Sequence, residues 1–369
     1  MRIQVWDYRT EYETERKEIL AGIEKVLDSG RLILGPSVTA FEGSFSTYCG
    51  AKYGIGVNSG TDALFLALKV LDVGPGDEVI TVSNTAIPTV AAIVSTGATP
   101  KFVDIEPDTY LMDVGQLEAA ITPQTKCILP VHLYGQCVDM ERTNRIAKTH
   151  GLVVLEDCAQ SHGAMQHGSK AGSMSELAAF SFYPTKILGT YGDGGMVITD
   201  NEAYAKRLRR LRMYGNEGTY YSVEHGYNSR LDELHAEILL RKLPRLDGYI
   251  ARRRDLAQRY DEKLKDTPLI LPKVRPGNFH AYYLYVVRHP SRETIMQRLV
   301  ERGIHLNISY PSPIHTMTGY SYLGGKEGDL PWTEAVAKEI FSLPMYPGLA
   351  DDEQDFVCES LHEIFREFL

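Results

Sequence analysis

The sequence predicts an α/β protein, with a large domain on a mostly parallel sheet and a smaller α+β C-terminal domain after it. Two observations carry this. Between about residues 60 and 200, short β-rich runs recur with helical or loop-like stretches between them, the pattern of strands joined by crossovers. After residue 245 the pattern changes to an alternating strand candidate set among helices. At 369 residues the chain is long enough for two domains. They are expected over 1–245 and 246–369, with the extreme N-terminal segment a candidate to pack on the smaller one.

The elements follow in order. From Thr14 to Ser29, Ile19, Leu20, Ile23, Val26 and Leu27 share one helical face, with Thr14 as a candidate N-cap and Gly30 as a left-handed C-terminal stop. Strands are predicted at Glu78 to Val82, Lys101 to Ile105, Cys127 to Val131, Leu152 to Glu156, Ala178 to Phe182 and Met196 to Thr199. The basic run Lys206 to Arg212 reads as a solvated face. A long periodic stretch from Leu231 to Leu264, carrying Arg252, Arg253 and Arg254, is predicted to bridge the domains with a kink at Pro244 and a break at Gly248. Beyond it come a strand at Ala281 to Arg288, a helix from Ser291 to Arg302 stopped by Gly303, and two further helices.

Composition excludes several classes. With 39 basic against 48 acidic side chains, a net charge of -9, the chain lacks the basic surplus of a nucleic-acid binder. No apolar run approaches the roughly 18 residues that crossing a bilayer needs, and the N-terminus lacks the apolar core of a secretory signal. A cytoplasmic location is expected. Five widely spaced cysteines, Cys49, Cys127, Cys137, Cys158 and Cys358, show neither a CxxC pair nor zinc-ligand spacing. They read as reduced and buried, and no metal site is predicted.

Three features bear on chemistry. Lys186 closes Ser181-Phe182-Tyr183-Pro184-Thr185-Lys186, between a predicted strand and the glycine run that starts at Gly189. Asp157 ends another predicted strand, at the carboxyl edge where open α/β sheets bind ligands. Gly60 and Thr61 begin a helix with apolar Leu64, Leu68 and Leu71, so their backbone amides offer an anion site at the positive end of a helix dipole. Each has a plain alternative: a surface lysine, a strand-end acid, an ordinary N-cap. Their order along the chain is the one expected for pyridoxal phosphate in a fold type I enzyme.

The blocks GTDAL (60–64), EDCAQSHGA (156–164), AFSFYPTKILGTYGDGG (179–195) and GYNSRLDELHAEIL (226–239) resemble the signatures of the DegT/DnrJ/StrS family of sugar aminotransferases, from about Leu32 through the C-terminal domain. The resemblance implies an aspartate aminotransferase-like, fold type I pyridoxal 5'-phosphate enzyme. In it, Lys186 carries the cofactor covalently and Asp157 pairs with the pyridine nitrogen. Gly60, Thr61 and Ser181 bind the phosphate, and Gln160 lies near the ring's 3-hydroxyl. Asn228 resembles the residue that a neighbouring subunit contributes, implying a homodimer with shared active sites. One departure stands out: Ala86 occupies a position where many members carry an aromatic residue stacked on the cofactor, which alanine cannot do.

The implied reaction moves an amino group from L-glutamate to a ketosugar through pyridoxamine 5'-phosphate, with Lys186 shuttling the proton. A dehydratase branch of the family carries histidine in place of that lysine. HLYG (132–135) together with SFYPTK (181–186) resembles members acting on dTDP-3-keto-6-deoxyhexoses, with amination at C4 of a 4-ketosugar as the alternative. Tyr183, His132, Tyr310 and His315 are substrate candidates; each ring is equally consistent with packing or with a structural hydrogen bond. Arg31 and Arg230 are candidates for the nucleotide diphosphate, or surface ion pairs. A cofactor-binding regulator without turnover is the alternative of another class, opposed by intact Lys186, Asp157 and Gln160.

Overall fold

The computed structural model describes residues 2–218 and 220–368. In chain order the first half comprises β1 (Ile3–Gln4), α1 (Arg9–Ser29), α2 (Pro36–Cys49), β2 (Tyr53–Val57), α3 (Gly60–Val70), β3 (Glu78–Val82), α4 (Ile87–Ser95), β4 (Thr99–Val103), α5 (Leu117–Ala120), β5 (Thr125–Ile128), α6 (Met140–His150), β6 (Val153–Asp157), β7 (Met165–Gln166) and β8 (Ser169–Lys170). There follow β9 (Leu177–Ser181), β10 (Gly195–Thr199), α7 (Glu202–Leu211), α8 (Glu233–Lys242), α9 (Leu246–Leu264), β11 (Asn278–Phe279), β12 (Tyr285–Arg288), α10 (Arg292–Glu301), β13 (Ile304–His305), α11 (Pro331–Glu339), β14 (Ile340–Leu343) and α12 (Asp351–Phe368).

Seven strands form the central sheet in the order β2-β10-β9-β6-β5-β3-β4. Strand β10 runs antiparallel to both neighbours, and every other pairing is parallel. Strands such as Leu177-Ala178-Ala179-Phe180-Ser181 are buried throughout, because helices cover both faces of a parallel sheet and leave no solvated side. The strand predicted at Glu78 to Val82 is found with those bounds, and the others in this sheet are present with end shifts of up to three residues. Helix α1 starts at Arg9, earlier than the Thr14 expectation, and buries Glu15, Ile19, Gly22 and Val26. Leu20 and Leu27, expected on the same face, are exposed, since the helix turns the Glu15–Ile19 side toward α8.

Around Pro244 the chain makes a short 3-10 turn, Leu243–Arg245, between α8 and α9. A proline inside a continued helix would lose a backbone hydrogen bond. Gly248 makes no break, and lies within α9. The strand expected from Ala281 begins only at Tyr285, after Tyr282 takes a left-handed φ of 50°. Nor is the basic run uniformly solvated. Arg212 is buried and donates to Gly56 O at 2.8 Å and to the Glu42 carboxylate.

A second apolar core gathers Leu256, Tyr260, Tyr285, Phe341 and Leu361 with Ile3. Ile3 belongs there because β1 pairs in parallel with β13, Ile3 opposite Ile304. We propose a division near residue 246, with the N-terminal strand attached to the smaller body. Asp104, just beyond β4, reaches across the proposed division, accepting from Trp332 N at 2.9 Å and Thr333 N at 2.8 Å at the start of α11. Among the described residues no helix is long and apolar enough to cross a membrane.

Candidate active site

The carboxyl ends of β3, β6 and β9 and the start of α3 enclose a cavity of about 240 Å³, lined among others by Gly60, Thr61, Asp157, Gln160, Ser181 and Lys186. Asp157, the last residue of β6, is 4% exposed. Its Oδ2 accepts from Thr89 Oγ1 at 2.8 Å and its Oδ1 from Ala159 N at 3.1 Å. Burial pushes its carboxyl pKa up, opposed by those two donors and by the Lys186 charge. A desolvated carboxylate facing a cavity favours a cationic partner there.

The floor is built by close backbone approach. Ser59 caps α3, its Oγ accepting from Asp62 N at 3.1 Å. A Cβ on Gly60 would lie 2.6 Å from Ser181 Cβ, and one on Gly195 would lie 2.1 Å from Ser59 O. Glycine at both positions lets the first amides of α3 sit against the end of β9. An anion there meets free N–H groups and the positive helix end.

Lys186 is half-buried on the same cavity, its Nζ 4.6 Å from the centroid of the Tyr283 ring. Tyr283 is held by a 3.0 Å hydrogen bond between its hydroxyl and Thr185 Oγ1. Gln160 is buried with its amide orientation set: Oε1 accepts from Tyr134 N at 2.8 Å, and Nε2 donates to the Tyr310 hydroxyl at 2.5 Å. These residues fit pyridoxal phosphate by their chemistry. They supply an amide cradle for an anion, a buried carboxylate without a cationic hydrogen-bond partner, and an amine on one cavity. Ala86 and Ala159 line it too, and among the lining residues Tyr183, 50% exposed, is the one aromatic ring. Methyl groups thus stand where a stacked ring was in question.

Several substrate candidates lie elsewhere. His132 is fully buried, with Nε2 on Glu156 at 2.9 Å and Nδ1 accepting from Val138 N at 3.1 Å. Both ring nitrogens are occupied, so the ring is structural. Cys158 lies within 4.8 Å of this pair, but the Glu156 carboxylate already accepts from Gly172, Met174 and Ser175 as well. His315 is likewise structural, bridging Ser83 Oγ at 2.8 Å and Glu334 Oε1 at 3.1 Å. Tyr310 bonds Gln160 and stacks on Tyr134 at 6.3 Å, behind the cavity lining. Arg31 is exposed. Arg230 contacts Met213 Sδ at 3.0 Å and the Tyr214 ring. Asn228 is exposed, with its backbone bridged to Met213 and its side chain outside the cavity lining. Thr89 and Tyr283 were missed, because the third residue of a helix and a tyrosine about 100 positions from the lysine carry no motif. The one available signal was Ser83-Asn84-Thr85 at a strand's carboxyl end, since Thr85 Oγ1 leads to Thr89 Oγ1 at 2.9 Å.

Comparison with known proteins agrees with this geometry. The model of the DegT/DnrJ/EryC1/StrS aminotransferase family matches residues 13–362. A protein of Micromonospora megalomicea subsp. nigra, named dTDP-3-amino-3,4,6-trideoxy-alpha-D-glucose transaminase, is 55% identical over 99% of both chains. A Geobacillus stearothermophilus protein named pleiotropic regulatory protein is 44% identical over 100% of both. Among solved structures, S. venezuelae DesV in complex with a ketimine intermediate superposes with a TM-score of 0.97 at 42% identity, over 98% of each chain. The family depends on pyridoxal phosphate, and the lysine, the buried aspartate and the glycine cradle stand in one cavity in this chain. By its matched length and its site, the chain belongs to the DegT/DnrJ/EryC1/StrS aminotransferase family.

Proposed function

We propose that this aminotransferase moves the amino group of L-glutamate to C3 of a dTDP-linked 3-keto-6-deoxyhexose, giving the dTDP-3-amino-3,6-dideoxyhexose. The observation that carries the reading is Asp157 and Lys186 on one buried cavity floored by the α3 N-terminus. The name of the Micromonospora relative supports the dTDP sugar and the 3-amino position. When bound, the cofactor supplies an electron sink that stabilises charge at the donor α-carbon. Asp157 would hold positive charge at the ring nitrogen, and Gly60, Thr61 and Ser181 would anchor the phosphate. Lys186 would hold the cofactor and, as a free amine at Nζ, would be the base that takes the donor's α-proton. Tyr183, the exposed ring at the rim, is the sugar contact in this reading. We further propose a homodimer in which Asn228 of each protomer completes the other's phosphate site, and a cytoplasmic location, which five free, buried cysteines favour.

The test pairs spectroscopy with product analysis. Wild-type protein with pyridoxal phosphate is expected to show the absorption band of lysine-bound cofactor, and L-glutamate should convert it to the pyridoxamine form. Lys186→Ala should lose the band and about 10²–10⁴-fold or more in turnover. Multiple turnover retained by purified Lys186→Ala overturns the assignment. NMR of the product should place nitrogen at C3; nitrogen at C4 moves the enzyme to the 4-ketosugar class.

A further inference from the structure

A second cavity, of about 300 Å³, meets the first at Lys186 and is walled by Trp6, Tyr8, Glu11, Tyr191, Lys242 and Arg253. Two of its cations are far from solvent. Lys242 is 4% and Arg253 2% exposed. Among the described residues Lys242 Nζ donates no hydrogen bond, and its ion pair with Glu15 is long, at 3.8 Å. Arg253 gives Nη1 to the carbonyls of Tyr282, Tyr283 and Met345, while its Nε has no acceptor. Both Glu15 oxygens and the Tyr191 hydroxyl are also without hydrogen-bond partners. Buried polar groups are nearly always satisfied, so this concentration around one cavity is the mark of a site completed by something polar.

The charge balance says of which sign. Lys186, Lys242 and Arg253 stand against Glu11 and Glu15, a cationic excess even with both acids ionised. Burial raises both carboxyl pKa values, which favours the neutral forms and widens the excess. The aromatic walls, with Trp6 stacked on Tyr8 at 5.5 Å and Tyr8 against Tyr191 at 5.9 Å, suit a short aliphatic chain. The volume is at the lower end of the range of small-molecule sites.

Building on the aminotransferase reading with an acidic donor, we propose that this cavity is the subsite for the amino donor. The distal carboxylate of a dicarboxylic amino acid, or of its 2-oxo acid, lies on Lys242 and Arg253, with the donor's amino end toward Lys186. The nucleotide sugar then enters from the other side, past Tyr183. Lys242 is a binding residue for the first half-reaction and has no part in the second.

Glutarate, a dicarboxylate without an amino group, is the probe. By calorimetry on the holoenzyme, Lys242→Gln should weaken glutarate at least about tenfold, the loss of a charge-assisted hydrogen bond, and Lys242→Arg should keep most of the affinity. In rapid-mixing experiments the same variant should raise the half-saturating L-glutamate concentration, yet leave the reaction of preformed pyridoxamine-form enzyme with ketosugar unchanged. Equal glutarate affinity in wild type and Lys242→Gln, or equal losses in both half-reactions, overturns the proposal and leaves the aminotransferase reading standing. A wild type whose spectrum does not respond to L-glutamate overturns the donor reading and the subsite with it. Because Lys242→Gln strands Glu15, a second test compares Lys242→Gln with Lys242→Gln/Glu15→Gln and Glu15→Gln: the double variant should still bind glutarate at least about tenfold more weakly than Glu15→Gln alone, and equal affinity of those two overturns the proposal.

Discussion

His162 is buried among Phe45, Phe180 and Phe182, with neither ring nitrogen in good hydrogen-bond geometry and only a weak contact to the Ser181 backbone. Burial lowers its pKa to about 3, far below the unfolded value of about 6.5. A depressed histidine pKa means the unfolded chain binds the proton first, so stability is present above about pH 6.5 and is lost as pH falls toward 3. The slope is about 1.4 kcal/mol per pH unit for one such group. His162→Phe should therefore be neutral or stabilising at pH 7 and should flatten the loss between pH 6 and 4, as read by denaturant unfolding. An unchanged acid slope contradicts the assignment. Asp157 behaves in the opposite sense. Its carboxyl pKa is raised by burial, so ionisation costs the folded apoprotein stability as pH rises through that value. Asp157→Asn is expected to stabilise apoprotein at pH 8 and to lower holoenzyme turnover by about 10²-fold or more, a site kept at the expense of stability. An apoprotein destabilised at pH 8 by the substitution would contradict this.

At the scale of elements, the site depends on how closely one helix end approaches one strand end. Gly60→Ala places a Cβ 2.6 Å from Ser181 Cβ, a contact that neither backbone can relieve without moving. Cofactor affinity is expected to fall by at least about tenfold with a smaller change in unfolding midpoint, because the phosphate cradle moves before the core does. Equilibrium dialysis against pyridoxal phosphate measures it; unchanged affinity would show that α3 does not bind the phosphate. The same logic places Glu233 of α8 at the start of α2. Its carboxylate accepts from Gly35 N at 2.9 Å, Ser37 N at 2.5 Å and Val38 N at 3.1 Å, a cap supplied from about 200 positions away. The strands around the site were legible because buried parallel strands are apolar runs. The opening helix was legible in kind but not in facing, as exposed Leu20 and Leu27 show, because hydrophobic spacing does not report which neighbour a helix meets.

At the scale of the molecule, apolar side chains remain uncovered near the N-terminal end of the large body, including Leu20, Leu27, Leu32 and Ile33. Their exposed surface is free to pack against a second copy of the chain, as the proposed homodimer requires. If Asn228 completes the partner's site, mixing Asn228→Ala with Lys186→Ala should restore activity that neither variant has alone, since half of the sites in a mixed dimer escape both substitutions. Refolding the two together and assaying turnover reads this out, and activity no greater than the sum of the separate variants contradicts a shared site.

Fold class was readable from the sequence, and so was the set Asp157, Lys186, Gly60 and Gln160 that lines one cavity, because local periodicity and contiguous motifs report both. Tertiary structure alone decided what each ring and charge is for. His132 and His315, each open to a substrate contact or a structural role in the sequence, are spent on Glu156 and on Ser83 with Glu334. Glu11, Lys242 and Arg253, from three separate segments, converge on the lysine. The reason is physical: a hydrogen bond or an ion pair depends on ångström distances between residues that chain spacing leaves free, and only packing of the folded chain settles those distances.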